Sequence, residues 1–267
     1  MERRCRVEPV RSSAPARRGL RLRAQDLTVV GALGAVSAVL GTVPGLGFVP
    51  APTPAGAATT LHIPAILAGL TRGPVAGALV GLVFGFFSFT RATLPFFKDP
   101  LIAFVPRVLI GVLTAYAFAL LGRTASRAVA ALACGAAVFV ALGPGAAAFE
   151  AAFAAGRVPS SWLVDLYHAV AAQTSRTPWV GFAAGLAGAL LAYAALRPED
   201  APVGAAAVVG TLTNTVGVLI LIVLRFPEMM PPGAAFLVGA THGLPEAVLA
   251  VVVTVPTYRA LRAARLV

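Results

Sequence analysis

The run from Asp99 to Leu121, DPLIAFVPRVLIGVLTAYAFALL, is apolar enough to cross a bilayer, yet it carries Pro106 and Arg107 near its start. The hydrocarbon core asks for about 20 apolar residues in a spanning helix. An arginine held at the middle of such a helix costs about 3 kcal/mol on insertion scales, so one that is retained faces a partner, a cavity or an interface. Arg107 therefore constrains both the fold and the site.

The rest of the chain obeys the same solvent. Only 12% of its residues are charged and 58% are apolar, against about 25% charged in a soluble domain. The chain reads as a polytopic membrane protein. Its net charge of +11 does not imply nucleic acid, because the arginines lie in an N-terminal tail and between apolar runs instead of forming a patch on a folded domain. Cys5 and Cys134 have neither metal nor disulfide spacing and read as free thiols. The Arg-rich segment before the first apolar run resembles the start of a signal peptide. No small-residue cleavage site stands directly behind that run, which predicts a first helix that is retained.

Eight apolar segments are expected to span: Leu27–Val43, Thr59–Leu70, Pro74–Phe89, Val105–Leu121, Ala128–Leu142, Trp179–Leu196, Val203–Leu224 and Ala234–Tyr258. The second is the shortest. Short cytoplasmic loops are enriched in Lys and Arg, so the arginines of the tail, with Arg72, Arg123, Arg127, Arg197, Arg259, Arg262 and Arg265, are assigned to the cytoplasm. Arg91, Lys98, Arg157, Arg176 and Arg225 go outside, and both termini are then cytoplasmic. The expected organisation is a basic cytoplasmic tail over residues 1–25 and one all-α transmembrane bundle over 26–267. Outer loops Pro44–Ala58 and Arg91–Phe104 have the size to fold over a pocket open to the outside. Trp162, Leu163, Leu166, Tyr167 and Val170 fall at helical spacing, which predicts an interfacial helix anchored by Trp162 and Tyr167.

Several polar groups inside apolar segments are candidates for a ligand. Arg107 can bind a carboxylate through two parallel N–H groups, or snorkel to the outer interface. Asn214, in the cluster GTLTNT, has a carboxamide that lipid cannot satisfy, so it faces protein. His242 and Glu246 stand four apart before and after Pro245 and can share one helix face; Glu246 can pair with His242 or balance Arg107. His62 can touch a ligand or serve as a hydrogen-bonded structural residue. Gly77, Gly81 and Gly85 form a stripe for close helix packing, and Gly31 with Ala35, and Gly34 with Ala38, form small-residue pairs on the first helix. No His, Cys or carboxylate spacing completes a metal site, and no nucleotide loop, serine elbow or HExxH motif is present. Any ATP used for transport must then be hydrolysed by other chains.

Four ordered blocks, HIPAILAGLTRGPVAGALVGLVFGFFSF from His62, FVPRVLIGVLTAYAFALLGR from Phe104, GTLTNTVGVLILIVL from Gly210 and HGLPEAVLAVVVTVP from His242, resemble the substrate-binding S components of energy-coupling factor (ECF) vitamin transporters. The nearest branch includes folate-, pantothenate- and riboflavin-type proteins. The resemblance implies a six-span bundle that binds a vitamin from outside and carries no cofactor of its own. It also implies a membrane coupling subunit and two cytoplasmic ATPases as partners in the cell membrane. By the same resemblance Gly31, Gly34, Ala35 and Ala38 face the coupling subunit, while Lys98, Arg107, Asn214, His242 and Glu246, with His62 beside them, line the pocket. The chain departs from the family pattern in residues 128–196, read as two further spans and the interfacial segment. The rival readings are a membrane enzyme acting on a lipid-like substrate through His242 and Glu246, and a membrane assembly protein. Lys98 and Arg107 suit an acidic ligand, and the 8% aromatic content offers no clear stacking cage, which favours pantothenate over folate or riboflavin.

Overall fold

A computed structural model describes residues 23–43, 45–50, 57–154, 162–230, 232, 235 and 238–267. Nearly all of the basic tail lies outside them. The described chain is helical except for one short hairpin. In order come α1 (Ala24–Thr42), β1 (Phe48–Pro50), β2 (Ala57–Thr59), α2 (His62–Arg72), α3 (Pro74–Thr90), a 3-10 turn (Pro95–Lys98) and α4 (Pro100–Leu120). They are followed by α5 (Arg123–Leu142), α6 (Pro144–Ala154), α7 (Trp162–Thr174), α8 (Pro178–Ala195), α9 (Ala201–Arg225), a π-turn (Gly239–Gly243) and α10 (Leu244–Ala263).

The helix boundaries follow local chemistry. Pro74, Pro100 and Pro178 open their helices, where the missing N–H costs nothing. Asp99 caps α4 by accepting the Leu101 N–H at 2.9 Å. Gly73, at φ +89°, makes the one-residue turn between α2 and α3 that a side chain would strain.

Paired charges mark the two ends of the bundle. At one end Arg72 lies 3.8 Å from Asp26 and donates to the Leu266 carbonyl at 2.9 Å, and Arg259 grips Asp200 with two N–H groups. At the other, Arg91 donates to the Gly41 carbonyl at 2.8 Å and Arg225 pairs with Asp99. The first residues of α1 and the last of α10 thus share an end.

Among the described residues, four helices are long and apolar enough to cross a membrane: Ala24–Thr42, Pro100–Leu120, Thr124–Ala151 and Ala201–Arg225. The pair Tyr167–Thr174 and Trp179–Ala195, bent by 114°, makes a fifth. The expected eight is not reached on this measure. The clearest departure is the second segment: α2 has 11 residues, about 16 Å of helix at 1.5 Å per residue, roughly half the hydrocarbon thickness. Nine of those residues are buried, so α2 is a plug inside the bundle. Thr59, expected to begin it, instead ends β2, which pairs antiparallel with β1, Phe48 opposite Thr59. The core of Phe84, Ile66, Val80, Ile110, Ala206 and Ala250 lies where α2, α3, α4, α9 and α10 meet.

The inserted segment folds as α5 to α8. Of the two expected anchors of α7, the Trp162 side chain lies outside the described residues, and Tyr167 is half-buried, donates to the Ala141 carbonyl and stands edge-on to Phe149 at 4.6 Å.

Candidate functional site

The site is built on the closest helix contact in the bundle. A Cβ on Gly81 would fall 2.1 Å from the Arg107 carbonyl oxygen, and one on Gly77 would fall 2.6 Å from the Gly111 Cα. The glycine stripe read from the sequence therefore lets α3 lie directly on the α4 backbone. This contact fixes the part of α4 that carries Arg107.

Pro106 then sets the side chain. Without an N–H it leaves the Ile102 carbonyl, four residues earlier, without its helical donor. Arg107 supplies the replacement: its Nη1 donates to that oxygen at 2.6 Å, and its Nη2 donates to Ser88 Oγ of α3 at 3.1 Å. The Phe84 and Phe97 rings sit 5.4 and 5.5 Å from the guanidinium, within the roughly 6 Å over which an aromatic face attracts a cation. Arg107 is only 3% exposed, and its Nε has no partner among the described residues. It does not snorkel.

The expected direct balance between Arg107 and Glu246 is not formed. Among the described residues no ion pair joins them, although Glu246 lies within electrostatic reach. Instead Glu246 Oε1 accepts the Thr59 backbone N–H at 2.6 Å, with Thr215 beside the same carboxylate. A backbone N–H is the donor here because the ladder bond next to it runs from the Thr60 N–H to the Gly47 carbonyl at 3.0 Å, so Thr59, opposite Phe48, turns its N–H away from β1. The carboxylate on α10 thus ties the hairpin to the bundle.

The remaining candidates divide. His62 is fully buried at the start of α2 and faces the Thr59 and Glu246 backbone, with neither ring nitrogen in a hydrogen bond of normal geometry. Asn214 is 5% exposed and its Oδ1 has no partner among the described residues. On α9 it falls between Gly210, which abuts Thr114, and Gly217, which abuts Pro106. Helical spacing therefore points it at α4 near the level of Arg107. His242 is buried in the π-turn one helical turn before Glu246 and meets the Val238 backbone. Lys98, by contrast, is exposed on the 3-10 turn; its neighbour Phe97 reaches Arg107, and Lys98 itself lies outside the buried set.

Of the small residues on α1, Gly31 and Ala35 are exposed, and nothing lies within 4 Å of a Cβ built on Gly31. Gly34 is buried, 3.8 Å from Val83 of α3, and Ala38 is half-buried. The two pairs thus face different ways.

Four contributors were missed in the sequence: Ser88, Phe84, Phe97 and the Thr59 N–H. Ser88 was findable, as a lone hydroxyl one turn from Phe84 on the face of the glycine stripe. The Thr59 N–H carries no side-chain signal at all.

A buried cation, a buried carboxylate, an amide and two imidazoles thus lie inside a bundle of apolar helices. The family model of the ECF transporter substrate-specific component matches residues 25–258, and the chain belongs to that family. It is a membrane transport protein that binds substrate and does not catalyse a reaction. Membership implies a small-molecule substrate, a membrane T component and ATPases. The match is to the component as a whole and singles out no vitamin branch. No curated protein matches the chain.

Proposed function

We propose that the chain captures a small acidic vitamin from outside the cell, pantothenate first and folate after it, with neutral riboflavin the disfavoured alternative, and passes it inward when the partner ATPases drive the complex. The observation that carries this reading is Arg107. Burying a guanidinium without a direct counter-ion is costly, and here the group keeps donors unengaged, Nε among them. A ligand carboxylate completes what the protein leaves open. Phe84 is fully buried and Phe97 already lies against the guanidinium, so these two rings present little open aromatic face to a large flat ring, which supports pantothenate.

In this reading Asn214, His62, His242 and Glu246 take the hydroxyl and amide groups of the ligand, and Lys98 draws the anion to the mouth. The end carrying Arg72, Arg127 and Arg259 faces the cytoplasm of the plasma membrane. Gly31 and Ala35 form the exposed part of the face that meets the T component, and two cytoplasmic ATPases complete the complex.

The test is calorimetric titration of the purified protein against a panel of vitamins. One acidic vitamin should bind, and Arg107→Ala should weaken it by about 1.5–3 kcal/mol, the worth of a hydrogen bond to a charged group. Arg107→Lys should recover only part, since an ammonium lacks the planar fork. Unchanged affinity in Arg107→Ala, or a neutral vitamin as the tightest ligand, would refute the proposal.

A further inference from the structure

Away from the polar site, a cleft of about 280 Å³ opens where the inserted helices meet the family bundle. Its origin lies in how α8 is attached. Glycines draw α8 tightly onto α5: a Cβ on Gly135 would fall 2.7 Å from the Gly185 carbonyl, and one on Gly181 would fall 3.1 Å from Gly143. α5 in turn packs on α9 and α10, so α8 is held one helix away from them. The wedge left between them is lined by Ala130 and Cys134 of α5, Ala195 of α8, Leu196, Val208 of α9 and Val251 of α10; apart from Cys134, all the lining side chains are Ala, Val or Leu.

Such a cleft suits neither water nor a polar solute, which need two to four polar partners. An apolar chain suits it, because each wall gains the dispersion contacts that a gap forfeits. One mouth of the cleft is charged. Arg127 precedes Ala130 by three residues and Cys134 by seven, on the same face of α5. Its guanidinium lies 4.0 Å from the centre of the Tyr193 ring on α8 and donates to the Tyr193 carbonyl, while its Nε is buried without a partner. Arg197, next to Leu196, is exposed at the same end. Asp200, the buried acid there, is already gripped by Arg259, so it does not neutralise this mouth.

We propose that the cleft is a lipid site: one acyl chain of an anionic phospholipid lies between α5, α8, α9 and α10, with the headgroup phosphate on Arg127 and Arg197. The guanidinium fork matches phosphate oxygens, and a long Arg stem along an apolar wall with its head at the membrane surface is the ordinary posture of this side chain in a bilayer. The bound chain would mortar the inserted helices to the bundle. The site is independent of the vitamin pocket and of the reading given to it.

The test is native mass spectrometry of the full chain, purified in detergent and supplied with equal amounts of phosphatidylglycerol and phosphatidylcholine of the same chain length. The expected result is one phosphatidylglycerol retained per chain. Arg127→Gln should reduce that preference about tenfold, as loss of one charged contact predicts. Ala195→Trp, which fills the cleft from an exposed rim position, should abolish retention of either lipid. A second readout uses the thiol in the wall: in a Cys5→Ser background, phosphatidylglycerol should slow labelling of Cys134 by an apolar maleimide, and phosphatidylcholine should not. Equal retention of the two lipids, an Arg127→Gln protein with the preference intact, or an Ala195→Trp protein that still holds phosphatidylglycerol would each overturn the proposal.

Discussion

Arg107 owes its position to residues that bear no charge. Gly81 lets α3 touch its carbonyl, Pro106 vacates the oxygen that its Nη1 takes, and Ser88 holds its Nη2. A methyl group on Gly81 would fall inside the contact distance of backbone, where nothing flexible can give way. Gly81→Ala should therefore push α3 and α4 apart and cost about 1–3 kcal/mol, as overpacking in a filled core does. Thermal unfolding in detergent would register the loss, and vitamin affinity should fall with it because Ser88 moves off the guanidinium. An unchanged melting temperature would mean that this contact does not set the helix spacing. The stripe was legible because glycines four apart have one meaning in a membrane helix. The target of the stripe was not, since a glycine's neighbour is a matter of tertiary structure.

At the scale of elements, the hairpin is where sequence reasoning fell shortest. Strands of three residues carry almost no periodic signal, and Thr59 meets Glu246 across 187 positions of chain. Glu246 was expected to answer Arg107 or His242 because charge is visible in sequence and a free backbone N–H is not. The consequence is a specific difference between two substitutions. Glu246→Gln keeps an oxygen for the Thr59 N–H and should leave stability within about 1 kcal/mol of the parent, whereas Glu246→Ala strands a half-buried donor and should cost about 1–3 kcal/mol. Denaturation of both variants, measured side by side, separates the tether from the charge. Equal losses in the two would assign the effect to the charge.

At the scale of the whole molecule, the apolar helices of the bundle were readable from hydropathy, because it reports the solvent that each residue meets. The depth of each segment was not, because α2 is apolar for burial in protein and not for exposure to lipid, and composition does not distinguish the two. The same ambiguity governs α1. Its window is only 17% buried, and Leu27, Val36 and Val39 are about half exposed. Beside them Gly31 and Ala35 leave a flat strip on which another membrane helix can approach closely. Gly34, turned toward Val83, belongs to the interior. If the strip is the docking face for the T component, Gly31→Leu should leave the melting temperature and vitamin affinity of the isolated protein unchanged while abolishing co-purification with the T component and ATPases, and uptake with it. Gly34→Leu should lower the melting temperature of the isolated protein through overpacking against α3. A Gly31→Leu protein that still assembles and transports would move the docking face elsewhere, and the exposed flank of α8, with Trp179, Phe182 and Leu186 outward, would be the next surface to substitute.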